Sequence, residues 1–87
     1  MSAHITKAQR IRACVRKIGY QFADTPESNL MFAIVSQAAK DLTDKYGVIR
    51  RSAHEYVQNE IPHAEICGVS SDWIRETFIK GGVLNVN

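Results

Sequence analysis

The sequence predicts a small all-α protein, a bundle of four to five helices around a central helix over residues 26–46. Three observations predict this class. Apolar residues recur at three- and four-residue steps, no segment has a convincing strand pattern, and helix-start and helix-stop residues separate the periodic stretches. With 87 residues, we expect one helical domain, 1–87, with a single layer of helix-on-helix contacts as its core.

The composition narrows the class of protein further. Apolar residues make up 45% of the chain and charged residues 23%, which is typical of a globular domain. No apolar run approaches the roughly 20 residues that a membrane span needs, and none follows the first charges as in a secretory signal. We therefore expect a soluble cytoplasmic protein without a membrane partner, located in the host cytoplasm if it is phage-encoded.

The first predicted helix covers residues 5–22. Its apolar residues form one amphipathic stripe, and basic residues flank that stripe on both sides. Residues 1–23 contain five basic and no acidic residues, whereas the remainder holds six basic and nine acidic residues. This segment is the natural candidate for contact with an anionic partner, and a solvated helix face is the alternative. The basic residues are Lys7, Arg10, Arg12, Arg16 and Lys17.

The second predicted helix, 26–46, has the strongest start signal. Thr25 is a good N-cap, Pro26 suits the first helical position, and Glu27 favours the positive helix end. Gly47 is the expected stop. Apolar residues cover more than half of the helical wheel, so we expect the other helices to surround this one. These residues are Leu30, Met31, Phe32, Ile34, Val35, Ala38, Ala39, Leu42 and Tyr46.

The remaining elements are shorter. A third helix is predicted over 49–60 with Ile49, Ala53, Tyr56 and Val57 inward, and Pro62 ends it. A short helical turn over 62–68 closes at a glycine. A last helix then runs from a cap at Ser70 or Ser71 to Lys80. Two glycines follow, and then a tail over 83–87 whose Val83 and Leu84 tuck back onto the core.

The C-terminal part contains a pattern typical of a helix-turn-helix. Such a corner needs a small residue in its first helix, a glycine four positions later, and an aliphatic residue six after that; Ala64, Gly68 and Ile74 occupy these places. If the corner binds DNA, residues 70–80 form the recognition helix. The candidate nucleic-acid-binding residues are then Arg10, Arg16, Lys17, Arg50, Arg51, Ser71, Arg75 and Lys80. A purely structural corner is the alternative.

The same region carries a family resemblance. The string Arg50-Arg51-Ser52-Ala53-x-x-Tyr56, followed by Ile66-Cys67-Gly68-Val69-x-x-Asp72-Trp73-Ile74-Arg75, resembles a pattern of small helical phage and prophage proteins over residues 34–80. The turn is shorter here than in that pattern. The resemblance implies a phage-type origin rather than an activity. By that analogy, the paired arginines and the Asp72/Arg75 pair hold the fold instead of a ligand.

Residues for catalysis or metal binding are sparse. His63 and Cys67 are four apart, but no second ligand pair accompanies them, so we expect no metal and no cofactor. No phosphate-binding glycine loop or nucleophile elbow occurs, and we expect no catalytic residues and no enzyme activity. The two cysteines, Cys14 and Cys67, fit small buried apolar residues in a reducing compartment, with a disulfide between them as the alternative.

Three functions follow as hypotheses. The first is a small DNA-binding regulator from a phage or mobile element, possible as a homodimer because one short helix contacts few base pairs. The second is a phage-encoded inhibitor or modulator that binds an acidic host protein, either an enzyme or an immune complex. The third is a structural homodimer that uses an exposed Trp73 or the tail over 83–86 as its contact.

Overall fold

Five helices form within residues 5–84, the part of the chain that the computed structural model describes: α1 (Lys7–Gly19), α2 (Pro26–Asp41), α3 (Gly47–Gln58), α4 (Pro62–Glu65) and α5 (Ser71–Lys80). The described range contains no strand, and the predicted all-α class is confirmed. α2 contacts α1, α3 and α4, while α5 contacts α1, α3 and α4. α1, α3 and α4 therefore each pack against both α2 and α5, which do not contact each other.

Local capping interactions set the helix starts. The Thr25 hydroxyl accepts the Ser28 N–H at 3.1 Å, and the Ser70 hydroxyl accepts the Trp73 N–H at 3.3 Å, as the sequence predicts. The start of α1 has a full capping box that the sequence reasoning missed. Thr6 and Gln9 exchange side-chain-to-backbone hydrogen bonds of 2.8 and 3.2 Å. The Thr-x-x-Gln spacing is the signal that identifies this box.

The boundary between α2 and α3 differs from the prediction. α2 ends at Asp41 instead of residue 46, and Gly47 is the first residue of α3 rather than the stop of α2. Between the two helices, the Asp44 carboxylate accepts the Tyr46 N–H at 2.8 Å. An aspartate that binds the N–H two residues on stabilises a turn, and this turn replaces the expected last helical residues.

Two glycines close helical segments by the same backbone motif. Gly68 and Gly82 have φ values of 78° and 76°. After the first, the Val69 N–H bonds to the carbonyl oxygen of Ala64 at 3.0 Å; after the second, the Val83 N–H bonds to that of Phe78 at 2.8 Å. This is the Schellman arrangement, which needs a left-handed residue at its turn. The predicted left-handed conformation of Gly68 is confirmed.

The buried side chains form one apolar cluster. Ala64 and Ile74, two of the three helix-turn-helix positions, are fully buried in it. The prediction that the tail returns to the core is confirmed for Val83 and Leu84, which are buried; residues 85–87 lie outside the described range. The largest fully buried side chains are Phe78, Ile18, Leu42, Ile61, Ile74, Val35, Val57 and Val83.

The expectation that other helices surround α2 is wrong on one side. Leu30 and Ile34 are 60% and 36% exposed, and Tyr46 lies in the turn with 62% exposure. On α3, Ile49 was expected to face inward and is 41% exposed. The cause is that only α1, α3 and α4 pack against α2, and α5 makes no contact with it.

None of the helices between residues 5 and 84 has both the length and the apolar character needed for a bilayer crossing. Cys14 and Cys67 are both free, so the alternative of a disulfide between them is wrong in this structure. Cys14 is buried, and its thiol lies 3.7 Å from the carbonyl oxygen of Thr77. Burial raises the pKa of the Cys14 thiol, and the nearby Lys17 opposes this shift.

Candidate nucleic-acid interface

The predicted recognition helix, α5, exposes a row of charges with a net negative sign. Asp72, Glu76 and Lys80 follow one another at four-residue steps and are all exposed. Lys80 Nζ lies 2.9 Å from Glu76 Oε1. Because the two carboxylates would repel phosphate and the single cation already faces one of them, this surface is poorly suited to a DNA groove.

Ser71 serves the fold and has no surface left for a ligand. It is 4% exposed, and its hydroxyl accepts the buried Ile61 N–H at 2.9 Å. Its own N–H donates to Glu65 Oε2 at 2.8 Å. Hydrogen bonds from Ser71, first from its side chain and then from its backbone N–H, lower the pKa of Glu65. The predicted base or phosphate contact of Ser71 is therefore corrected to a hydrogen bond that joins the start of α5 to the N-cap of α4.

Arg75 is likewise engaged within the chain. Its Nε donates to the carbonyl oxygen of Val57 at 2.8 Å, and its Nη2 donates to that of Asn59. Its Nη1 binds Asp72 at 2.8 Å. Carbonyl groups at a helix C-terminus lack partners within the helix, so Arg75 caps the end of α3. The fold-holding role that the family resemblance implies for Asp72 and Arg75 agrees with these contacts.

The paired arginines lie at the start of α3, away from the other candidates. Arg50 donates from Nη1 to the carbonyl oxygen of Asp44 at 2.9 Å, which stabilises the turn between α2 and α3. Arg51 is exposed and has no hydrogen bond or ion pair within residues 5–84. α1 and α3 both pack against α2 but make no contact with each other, so this pair and the basic residues of α1 lie on separate helices that are not in contact.

The basic residues of α1 remain free. All five are exposed, and within the described part of the chain neither ion pair includes any of them. Arg16 and Lys17 lie in the last turn, where cations are favourable. Arg12 and Arg16 are four residues apart, a like-charge spacing that destabilises a helix by a few tenths of a kcal/mol. No acidic residue of α1 offsets this cost.

Two further lysines extend this surface from the neighbouring helices. Arg12 and Lys40 line a groove between α1 and α2, and Lys17 and Lys80 line a groove between α1 and α5. We call the resulting surface the basic ridge. It consists of the α1 residues Lys7, Arg10, Arg12, Arg16 and Lys17, with Lys40 and Lys80 at its two edges.

Four of the eight predicted site residues lie on α1 or line its groove with α5. Arg10, Arg16, Lys17 and Lys80 belong to the basic ridge. Sequence reasoning left Lys7, Arg12 and Lys40 out of the candidate site. The helical spacing of Arg12 was a usable signal, whereas the position of Lys40 depends on the packing of α1 against α2.

Along the top of the ridge, Gln9 and Ala13 sit between two arginines and leave a shallow depression. A small residue flanked by Arg12 and Arg16 lets an anionic group approach the helix closely, with both guanidinium groups within reach. Arg10 points toward the other side, where its guanidinium packs over the backbone of Gly82. The ridge therefore has one edge fastened to α5 and one edge open toward α2.

Groups suited to metal binding are absent from residues 5–84, where no three His, Cys, Asp or Glu side chains come together. The predicted neighbours His63 and Cys67 do not share a helix, because α4 ends at Glu65. His63 Nδ1 instead lies 2.6 Å from the Tyr56 hydroxyl. Burial raises the pKa of Tyr56, and the hydrogen bond to His63 opposes the shift.

Comparisons of the chain with protein-family models, with curated proteins and with solved structures find no match.

Proposed function

We propose that the protein binds nucleic acid as a small DNA-binding regulator and that it contacts the phosphate backbone through the basic ridge. One observation carries this proposal. α1 exposes five cationic side chains, and within residues 5–84 none of them faces an acidic partner. Phosphate contacts from Lys and Arg supply most of the non-specific affinity of a protein for DNA.

The dimensions of α1 suit such a contact. The helix has 13 residues and is therefore about 20 Å long. Duplex DNA carries one charge per about 1.7 Å of its axis, so several phosphates lie within reach of one face of α1. Four to five contacts would give a slope of log affinity against log salt near −4, since each contributes about −0.9.

The helix-turn-helix-like corner has a supporting role in this proposal. Ser71 and Arg75 are engaged within the chain, and the exposed face of α5 holds two acidic residues. We infer that α5 packs against α1 and makes no contact with DNA bases. This replaces the sequence-based hypothesis that α5 lies in the major groove, while DNA as the partner is retained.

An acidic host protein is the alternative partner, and the phage-type origin implied by the resemblance stays a prediction. The two partners differ in one measurable respect. A polyanion with regularly spaced phosphates is bound whatever its sequence, with an affinity that falls steeply with salt. A folded acidic protein is bound at one stoichiometric site, and unrelated duplexes do not compete for it.

The test is fluorescence anisotropy of a labelled duplex at salt concentrations from about 50 to about 200 mM. We expect affinity to fall across this range with the slope given above. The double variant Arg12→Ala/Arg16→Ala should lose about tenfold or more in affinity at the lowest salt and should flatten the slope by about two units.

The matched control is Arg50→Ala/Arg51→Ala. It removes the same charge from a different face of the molecule, and we expect it to retain most of the affinity. Loss of affinity in this control equal to that of the α1 variant would place the contact elsewhere. Absence of salt-dependent binding to any duplex at low salt would leave the ridge as a solvated helix face.

A further inference from the structure

Tyr20, the residue that directly follows α1, is the most exposed large hydrophobic residue of the described range, at 79%. Its neighbour in the same loop behaves differently. Phe22 is half-buried and packs against Phe32, with 5.2 Å between the ring centroids. The loop therefore covers one of its two aromatic rings and leaves the other open. An aromatic ring brings a large apolar area and a flat π-face to any partner that covers it, so the open ring is available to a ligand.

Tyr20 continues the row of arginines on the basic ridge. Arg12, Arg16 and Tyr20 follow one another at four-residue steps. The backbone of Tyr20 is still helical, with φ −65° and ψ −18°. Residues four apart on a helix share one face and lie about 6 Å apart along its axis. The tyrosine ring therefore extends the face that carries the two guanidinium groups, at the C-terminal end of α1.

The sequence places no acidic residue within this row. From Lys7 to Tyr20 the chain has no Asp or Glu. The next acid along the chain is Asp24, whose Oδ1 lies 3.4 Å from the side-chain nitrogen of Asn29. Lys17, three residues before Tyr20, adds a further cation on the neighbouring side of the helix. Free cations beside an uncovered aromatic ring suit a ligand that has both negative charge and a flat apolar face.

The other well-exposed tyrosine has different surroundings. Tyr46 lies in the turn between α2 and α3, and Lys45 Nζ is 5.5 Å from the centre of its ring. A cation of the chain itself therefore already covers one face of that ring. The Asp44 carboxylate, which accepts the Tyr46 N–H, also places an acid beside it. Tyr46 is thus an exposed aromatic residue outside the ridge and can serve as a control.

A single strand of DNA offers the two features that this surface suits. Each nucleotide joins a phosphate to a base with a π-face. In a duplex the bases are stacked on one another, and a protein in a groove reaches only their edges. In a single strand the base faces are open, and aromatic side chains beside a basic surface stack on them. A duplex could therefore bind the arginines of the ridge but would leave the Tyr20 ring uncovered.

We propose that the basic ridge binds single-stranded DNA, with one base stacked on Tyr20 and the neighbouring phosphates held by Arg12 and Arg16. This inference rests on the proposed function, since it names the form of DNA that the ridge recognises. Stacking on one aromatic side chain changes affinity by about tenfold and depends little on the identity of the base.

Fluorescence anisotropy with two labelled strands tests the stacking. One is an oligothymidylate of about 12 nucleotides, and the other has the same phosphates with abasic sites in place of the bases. At low salt the wild-type chain should bind oligothymidylate about tenfold more tightly than the abasic strand. Tyr20→Ala should lose this difference. It should keep its affinity for the abasic strand and for a duplex, and its salt dependence should stay the same, because no charge is removed.

Two variants serve as controls, and circular dichroism confirms that each is folded. Tyr46→Ala should bind both strands like wild type, and Tyr20→Phe should keep the affinity for oligothymidylate because it keeps the ring. Wild-type affinity of Tyr20→Ala for oligothymidylate overturns the stacking, as does an equal loss on both strands or an equal loss in Tyr46→Ala.

Failure of the stacking can be told apart from failure of the proposed function. If Tyr20→Ala has no effect while Arg12→Ala/Arg16→Ala still loses affinity for the duplex, the stacking is overturned and the phosphate contact stands. If the wild-type chain shows no salt-dependent binding to the duplex or to either strand, both proposals are overturned.

Discussion

α1 and α5 pack against each other, and both carry arginine and lysine, yet the two helices use their cations differently. In α5, Arg75 caps the end of α3 and Lys80 faces Glu76. In α1, the cations are exposed and face no acid within the described range. The difference shows that the position of a basic residue in a motif does not tell whether it is free to bind a ligand. Its neighbours in space must be known first. The helix with the recognisable motif holds the fold, and the helix without one has the free charge.

The largest expected effect is a difference in the free energy of unfolding between an arginine variant of α5 and one of α1. Arg75→Ala should lower the free energy of unfolding by about 2–4 kcal/mol, because it leaves two carbonyl groups at the end of α3 without a charged donor. Arg16→Ala, on α1, should change it by less than about 0.5 kcal/mol. Urea unfolding followed by circular dichroism measures both. Equal stability of the two variants would remove the distinction between the helices.

The two glycines that bracket α5 give the next effect. Gly82→Ala should cost more than Gly68→Ala, although both residues have positive φ. A left-handed alanine costs about 1–2 kcal/mol at either position. At Gly82 the added β-carbon would also meet the end of the flexible, exposed Arg10 side chain, which can move aside, so the extra cost is small; nothing lies within 4 Å of a β-carbon at Gly68.

Thermal unfolding of both glycine variants measures this difference. The double variant Gly82→Ala/Arg10→Ala is the control, since it removes the Arg10 side chain and should recover part of the loss. If Gly68→Ala is the less stable single variant, the end of α5 is not fastened to α1 in the way described.

A third substitution, on α1, should raise the stability of the fold and lower the affinity for DNA. Arg12→Glu replaces a like-charge spacing with a Glu–Arg pair four residues apart, in the favourable orientation. We expect the free energy of unfolding to rise by about 0.5 kcal/mol while affinity for duplex DNA falls about tenfold or more. Parallel unfolding and anisotropy measurements test this. A variant that is both more stable and fully able to bind would show that the charge of Arg12 has no role in binding.

The smallest effect is a pH dependence confined to the corner before α5. Hydrogen bonds to Ser71 lower the pKa of Glu65 below its ordinary value. A carboxyl group with a lowered folded-state pKa stabilises the fold above its unfolded pKa, and this contribution is lost as the pH falls through the folded-state value. Glu65→Gln should therefore flatten part of the acid limb of a stability profile, and Glu27→Gln serves as the control.

Sequence reasoning predicted the features that depend on neighbouring residues. The Thr25 and Ser70 caps and the left-handed Gly68 all follow from residues within one turn of each other. The end of α2 was placed wrongly, because a glycine stop signal outweighed the Asp44 turn that ends the helix without one. The Gly47 stop signal and the Asp44 turn signal are both local, and the prediction gave the glycine too much weight.

The roles within the candidate site depended on residues distant in sequence. Arg75 binds carbonyl groups 16 and 18 residues away, and the burial of Ser71 depends on the backbone of Ile61. Neither contact leaves a local pattern in the chain. The open side of α2 is similar, because periodicity shows that a face is apolar without showing whether another helix covers it.

The contact between Cys14 and Thr77 spans 63 residues, and it has a consequence for the order of folding. α2, α3 and α4 are joined by neighbouring segments and close short loops, whereas α1 reaches α5 only after nearly the whole chain is available. During synthesis on a ribosome, the basic helix is therefore made first and completes its packing last. In that interval its apolar stripe has only α2 to cover it.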